Sequence, residues 1–276
     1  MSFKISSTVV PLNASRYLSS AQDQITASLR ALASGSRINR AGDDAAGFAI
    51  AESLRGQIGG TKQAEFNAQA AQSLVQTAEG GLNEQNNILI RLRELAVYAA
   101  SDTIGEEERG YLNGEFEQLV QEFDRIAKTT RYGNKSLLTG TGEQFEFQVG
   151  AYKGDENVVR FKLDADTTAS DVGIDGLDVT DQGGARSALD YIDEAMTKIA
   201  STRATFGAMQ SRLSHAAESL AIQAENLAEA RSQIVDADLA EEVSKLAQAQ
   251  IVQESATSVV AQANASSMRA LRLLNM

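Results

Sequence analysis

The chain has no cysteine and no tryptophan, and only one proline and one histidine in 276 residues. Without cysteine there are no disulfides, thiolate zinc sites or thiol nucleophiles. The lone histidine, His215, excludes a His–His metal pair and the H-E-x-x-H signature of a zinc protease. One proline stands where an average composition near 5% would place about a dozen. A chain that avoids proline, with 43% hydrophobic but only 5% aromatic residues, reads as helical. No stretch approaches the roughly 18 apolar residues of a membrane span, so no membrane insertion is expected. Residues 1–13 (MSFKISSTVVPLN) lack the apolar run of a secretory signal. The expectation is a cytoplasmic protein, or one that leaves the cell without a cleaved signal.

Charge is unbalanced: 25 basic against 37 acidic residues give a net charge of −12. An acidic chain with no basic block is a poor partner for nucleic acid, which is gripped by clustered cations.

Glycine divides the chain. Nine of the 21 glycines fall between Gly133 and Gly184, while residues 208–276 contain neither glycine nor proline. The middle is therefore irregular or β, and both flanks are helical. Leu112, Phe116, Leu119, Phe123 and Ile126 recur at steps of four and three. So do Leu189, Ile192, Met196 and Ile199, then Phe206, Met209, Leu213, Ala216 and Leu220. Such narrow seams predict long helices lying near antiparallel. Each buried Leu, Ile or Phe contributes about 1.5–3 kcal/mol. The predicted helices span about 43–100, 106–130 and 185–234, the first capped by Asp43 and with Asp44 on its dipole. Alternation at Phe145, Phe147 and Val149, and again at Val159, Phe161 and Leu163, predicts a β-hairpin over about 144–163 whose aromatic face packs on the helices. The fold class is mainly α: a long antiparallel helical bundle or coiled coil with a small β-hairpin, its N- and C-terminal helices paired.

The two ends are rich in Ala, Ser and Gln. Their aliphatic seams are Leu18, Ile25 and Leu32 at one end, and Leu239, Val243, Leu246, Val260, Leu271 and Leu274 at the other. Helices this poor in apolar mass are marginal alone and take their stability from packing partners. Order gained on association is expected, with these residues as assembly seams.

Candidate chemistry is sparse. Residues 37–46 (RINRAGDDAA) pair two carboxylates without G-K-[ST] or a third spaced acid, so they read as a helix-start turn. An EF-hand loop begun at Asp164 needs Gly and Glu where Ala169 and Asp175 stand, which leaves a solvated acidic loop. His215 reads as a partly exposed helical residue. Gly80-Gly81 within a helix implies a bend or a close backbone approach. No catalytic residue, metal or cofactor is expected.

Several long motifs agree at once with one family. LASGSRINRAGDDAAGFAIAESL (32–54), QTAEGGLNEQNNILIRLRELAV (76–97), FDRIAKTTRYGNKSLL (123–138) and ARSQIVDADLAEEVSKLAQAQIVQESATSVVAQAN (230–264), closing on LRLLNM, resemble bacterial flagellin. The resemblance covers about 1–140 and 185–276 and implies a minimal form without large outer domains. It implies an inner core of paired terminal helices (1–42 with 236–276) and an outer helical rod with the hairpin (43–235). It further implies a structural subunit that polymerises into the helical filament of motility, is exported through the flagellar type III apparatus and works outside the cell. The partners so implied are copies of itself, an export chaperone, a cap protein and a hook–filament junction protein. Arg91, Leu95 and Glu115, in RLRELAV and LNGEFEQL, match the hot spot read by the flagellin-sensing Toll-like receptor of animals, so receptor competence is implied as well. Two alternatives are a junction protein with similar termini and a chemoreceptor-type coiled coil, which lacks the hairpin and needs a membrane span.

Overall fold

In the computed structural model, residues 9–162 and 165–274 are described, the side chains of 9–11, 266, 267 and 270–274 excepted. Among the described residues the α-helices are α1 (Val9–Ser34), α2 (Ala45–Ala99), α3 (Glu106–Thr129), the single turn α4 (Ala169–Val172), α5 (Gln182–Val235) and α6 (Leu239–Leu274). Four short strands lie between α3 and α4: β1 (Arg131–Tyr132), β2 (Lys135–Ser136), β3 (Gln144–Gln148) and β4 (Val158–Lys162). The chain divides into two compact units, one formed by Met1–Gln57 with Asn226–Met276 and the other by Ile58–Glu225.

The Ile58–Glu225 unit holds the main core. Leu82, Leu89 and Leu92 of α2, Phe116 and Phe123 of α3, and Ile192, Ile199, Phe206 and Leu213 of α5 are buried in one cluster. These are the predicted seams with one displacement. On α5 the centre of the stripe runs through Ala185, Ala188, Ile192, Ala195 and Ile199, while Leu189 and Met196 pack from its edge. Alanine at the centre lets helix backbones approach, and the longer side chains close the flanks.

The corner between α2 and α3 is built by polar groups. Gly105 precedes α3, and its N–H donates to Glu108 Oε2 at 2.7 Å. The buried Arg109 donates from Nε to the Ala99 carbonyl at 2.8 Å and from Nη2 to Ser101 O at 2.9 Å. One guanidinium thereby satisfies carbonyls that the end of α2 leaves open.

The predicted hairpin is present. β3 and β4 pair antiparallel with Phe145 opposite Phe161 and Phe147 opposite Val159. Its aromatic face turns inward, and the Phe161 ring lies 5.4 Å from that of Phe206 on α5, tilted by 59°. Val149 falls just past β3, its N–H donating to Asn157 O at 2.8 Å; Leu163 lies outside the described residues. A second, smaller hairpin pairs β1 with β2 through a Gly133-Asn134 turn. Gly133 adopts φ +59° there, a value that favours glycine.

A buried side chain of α2 ties α3 and the segment before α4 together. The fully buried Gln85 donates from Nε2 to Phe123 O at 3.2 Å and to Thr167 O at 3.0 Å. Thr167 in turn donates from its N–H to Leu138 O at 3.0 Å. The aspartates of the acidic loop serve as local acceptors: Asp166 for Thr168, Asp178 for Thr180 and Asp181 for the Gly184 N–H. Asp171 pairs with Lys198. Asp164 lies outside the described residues.

In the other unit α1 runs antiparallel to α6, so each end of the chain finds its first packing partner within the same chain. Backbone bonds clamp the base of the pair: Arg37 N–H to Val235 O at 2.7 Å and Ala237 N–H to Gly35 O at 3.0 Å. The Arg37 Nη2 group adds a bond to Ile234 O at 2.8 Å. The start of α2 differs from the sequence reading. Asp44, not Asp43, caps it, its Oδ1 accepting from the Ala46 and Gly47 N–H groups at 3.1 and 3.0 Å. Asp43 closes the preceding turn by accepting from the N–H groups of Asn39 and Arg40. Those bonds, Asn39's first, hold its carboxyl below the ordinary carboxylate range. The cap moved by one residue because the loop from 36 needs its own acceptor before the helix can start.

Candidate assembly surface

The seam between α1 and α6 is made of small side chains at heptad spacing. Ala14, Ala21 and Ser28 of α1 are buried, as are Ala249 and Ala256 of α6. Between them on α1 sit Leu18, Ile25 and Leu32, each half-buried, and on α6 Leu246 and Val260 occupy equivalent half-buried positions. Five of the predicted seam residues thus line the intramolecular pair. Leu239 and Val243 do not: they are 56% and 54% exposed. Leu271 falls on α6 and Leu274 ends it, but their side chains lie outside the described residues.

Polar contacts accompany the alanines. Gln253 Nε2 donates to Gln22 Oε1 at 2.6 Å. Lys245 Nζ reaches Glu242 at 2.8 Å and Glu241 at 3.0 Å. The Lys245 bond first, with a hydrogen bond from Ser28, keeps the Glu242 carboxyl below its usual range.

Several large apolar residues of this unit face outward. Tyr17 is 68% exposed and Ile251 65%, and Leu12, Leu29, Val252, Val259 and Met268 are exposed with them. Ala14, Tyr17, Ile251, Val252, Ala256 and Val259 line an open apolar depression of about 440 Å³. These exposed apolar residues make this face the candidate interaction surface of the unit. The sequence reading missed Tyr17, Ile251, Val252 and Val259 because they stand off the three–four seam; their signal is apolar mass left over on a helix whose seam is already filled. Charge does not oppose close packing here: this unit carries ten basic and ten acidic residues, a net charge of zero. Between Ala256 and Met268 there is no charged residue at all.

Arg91 and Glu115 come together in the Ile58–Glu225 unit. The guanidinium donates from Nη2 to Glu115 Oε1 at 2.7 Å and from Nε at 3.0 Å, and from Nη1 to Glu94 at 3.2 Å. The pair joins α2 to α3 at the surface. Leu95 is not on that surface; it is 3% exposed and belongs to the core beneath. Beside the pair, Ile90, Arg93, Glu94 and Val97 form a shallow depression, and Arg93 reaches across to Asp193 of α5 at 2.8 Å. His215 is an exposed residue of α5. Among the described residues no three His, Asp or Glu side chains are grouped to hold a metal ion. Among them too, no helix is long and apolar enough to cross a membrane.

Residues 5–143 match the bacterial flagellin N-terminal helical region and residues 189–274 the bacterial flagellin C-terminal helical region. The chain is 41% identical to a flagellin of Halalkalibacterium halodurans over 264 residues, covering 95% of this chain and 96% of that one. It is 36% identical to the flagellar filament core protein flaB2 of Brachyspira hyodysenteriae, covering 98% and 99% of the two chains. Among solved structures, Bacillus cereus flagellin superimposes with a TM-score of 0.51 at 32% identity, covering 60% of this chain and 94% of that one. A flagellar hook-associated protein of Vibrio parahaemolyticus reaches 0.59 at 13% identity, covering 70% of this chain and all of that one, a likeness of fold alone. On both helical regions and over nearly its whole length, the chain belongs to the bacterial flagellin family.

Proposed function

We propose that the chain is the repeating subunit of a bacterial flagellar filament, with residues 1–42 and 236–276 as its inner assembly layer and 43–235 as the outer rod. The family consists of structural filament proteins, not enzymes, and no catalytic role is assigned. The observation that carries the reading is the terminal helix pair, in a unit of zero net charge, whose seam is centred on alanines while Tyr17, Ile251, Val252 and Val259 stand exposed to solvent. Copies of the same surface would cover these exposed side chains. A head-to-tail contact between copies that does not close into a ring propagates as a helical polymer.

The same reading places the protein outside the cell, delivered unfolded through the flagellar type III apparatus, and a chain with no disulfide to form suits such a passage. An export chaperone, a cap protein and a hook–filament junction protein are its proposed partners beside its own copies. The flagellin-sensing Toll-like receptor of animals is proposed to read the Arg91–Glu115 surface.

Electron microscopy of the purified chain tests the reading. Long filaments are expected from the full chain and none from a chain lacking 1–42 and 236–276. Persistent monomers of the full chain would favour a junction protein, and tubes grown from the truncated chain would remove the assembly role of the ends.

A further inference from the structure

The seam between α1 and α6 repeats itself. Ala14 and Ala256 line one depression together, and Ala21 and Ala249 line the next cleft, so each step of seven along α1 meets a step of seven back along α6. A slip of one heptad, about 10 Å of helix rise, would set Ala21 against Ala256 and leave alanine on alanine. Side chains this small and this alike distinguish poorly between the two alignments. The next layer breaks the repeat. The buried Ser28 donates its hydroxyl hydrogen to the Glu242 carboxylate. That carboxylate side chain is only 13% exposed and accepts from Lys245 Nζ at 2.8 Å.

We propose that Ser28, Glu242 and Lys245 form a register lock, the polar layer that selects one alignment of α1 on α6 from those the alanines would accept. A single polar layer in an apolar seam specifies register in coiled coils at a cost in stability, because other alignments strip buried groups of their partners. After a slip of one heptad Ser28 faces Ala249, and the Glu242 carboxylate loses the Ser28 hydroxyl. Alignment also composes the outward face. Tyr17 of α1 lines its depression with Ile251 and Val259 of α6, and the slip takes them apart. The lock thus decides whether a copy displays the surface assigned to assembly; this consequence rests on the filament reading, and the lock itself does not.

Because the chain has no cysteine, introduced pairs can trap the alignment as disulfides. Ala21→Cys with Ala249→Cys reports the native alignment, and Ala21→Cys with Ala256→Cys the slipped one. The free chain is oxidised and the crosslinked fractions are read on a denaturing gel. Adding Ser28→Ala and Glu242→Ala should raise the slipped-to-native ratio about tenfold or more. The exchange Ser28→Glu with Glu242→Ser keeps both groups in the layer and should restore the starting ratio. Gln22→Ala removes the exposed Gln22–Gln253 bond and should leave the ratio unchanged. An unchanged ratio in the double variant overturns the proposal and gives the register to the backbone clamp at Gly35 and Ala237. An equal rise in Gln22→Ala, or no recovery in the exchange, overturns it as well. Should the double variant lose its helicity, Ser28→Ala alone carries the test, with a rise of about threefold or more expected and no rise overturning the lock. Chains held by the native disulfide should then polymerise and those held by the slipped one should not. Polymer from the slipped form would break the link between lock and surface. No polymer from either form, with the ratios as expected, removes the filament reading and leaves the lock standing.

Discussion

Leu138 and Gly81 share one space. A Cβ on Gly81 would stand 2.9 Å from Leu138 Cδ1 and 2.6 Å from Thr130 Oγ1, whereas one on neighbouring Gly80 would meet nothing within 4 Å. The same dipeptide thus holds one glycine that the packing needs and one that it does not. Gly81→Ala should destabilise the chain by about 1–3 kcal/mol through overpacking. Gly80→Ala, in an open helical position, should stabilise it by about 1 kcal/mol. Urea unfolding followed by circular dichroism measures both, and equal effects of the two substitutions would refute the close approach.

Pairing within the chain and association between chains use different residues of the same helices. Ala21 is buried in the α1–α6 seam and Ile251 stands 65% exposed beside it. Ala21→Leu should overpack the seam at a cost of about 1–3 kcal/mol, seen as lost helicity of the free chain. Ile251→Ser should leave that helicity intact and raise the critical concentration for polymer growth by roughly ten- to a hundredfold, as expected when burial worth about 1.5–3 kcal/mol is removed from an intermolecular contact. A loss of free-chain helicity in Ile251→Ser would return this residue to the intramolecular pair.

The three residues matched to the receptor hot spot divide by burial. Arg91 and Glu115 are bridged at the surface, and Leu95 lies in the core below them. Arg91→Asp should abolish most receptor signalling while moving stability little, since an exposed ion pair contributes about 0–1 kcal/mol. Leu95→Ala should instead cost about 2–5 kcal/mol as a core truncation. A reporter-cell assay alongside thermal unfolding separates the two, and undiminished signalling by Arg91→Asp would reject the assignment.

Much of this architecture is written in apolar spacing. The helices at 45–99, 106–129 and 182–235 fall within a few residues of their predicted limits, because glycine and turn residues mark their ends. The aromatic hairpin followed from strict alternation. Spacing alone misplaced the centre of the α5 seam by one position, at Ala188 and Ala195, and on α1 it passed over Ala14 and Ala21, which lie to either side of Leu18. Periodicity finds the largest apolar residues, while backbones in close contact select the smallest. The β1–β2 hairpin was legible in its Gly133-Asn134 turn, a hairpin dipeptide, but was masked by the helix preceding it. Arg91 and Glu115 meet across two helices, and no local pattern announces such a meeting; their association came from resemblance to the family alone.

The backbone clamp at Gly35, Arg37, Val235 and Ala237 also gives the molecule a direction of mechanical failure. A pull on either terminus loads the thin alanine layer between α1 and α6 residue by residue, as a zipper is opened. It reaches the clamp only after both end helices have parted. The leucine and phenylalanine core around Leu82 and Phe116 bears no load until the clamp lets go, so the chain comes apart ends first and in two separate force steps.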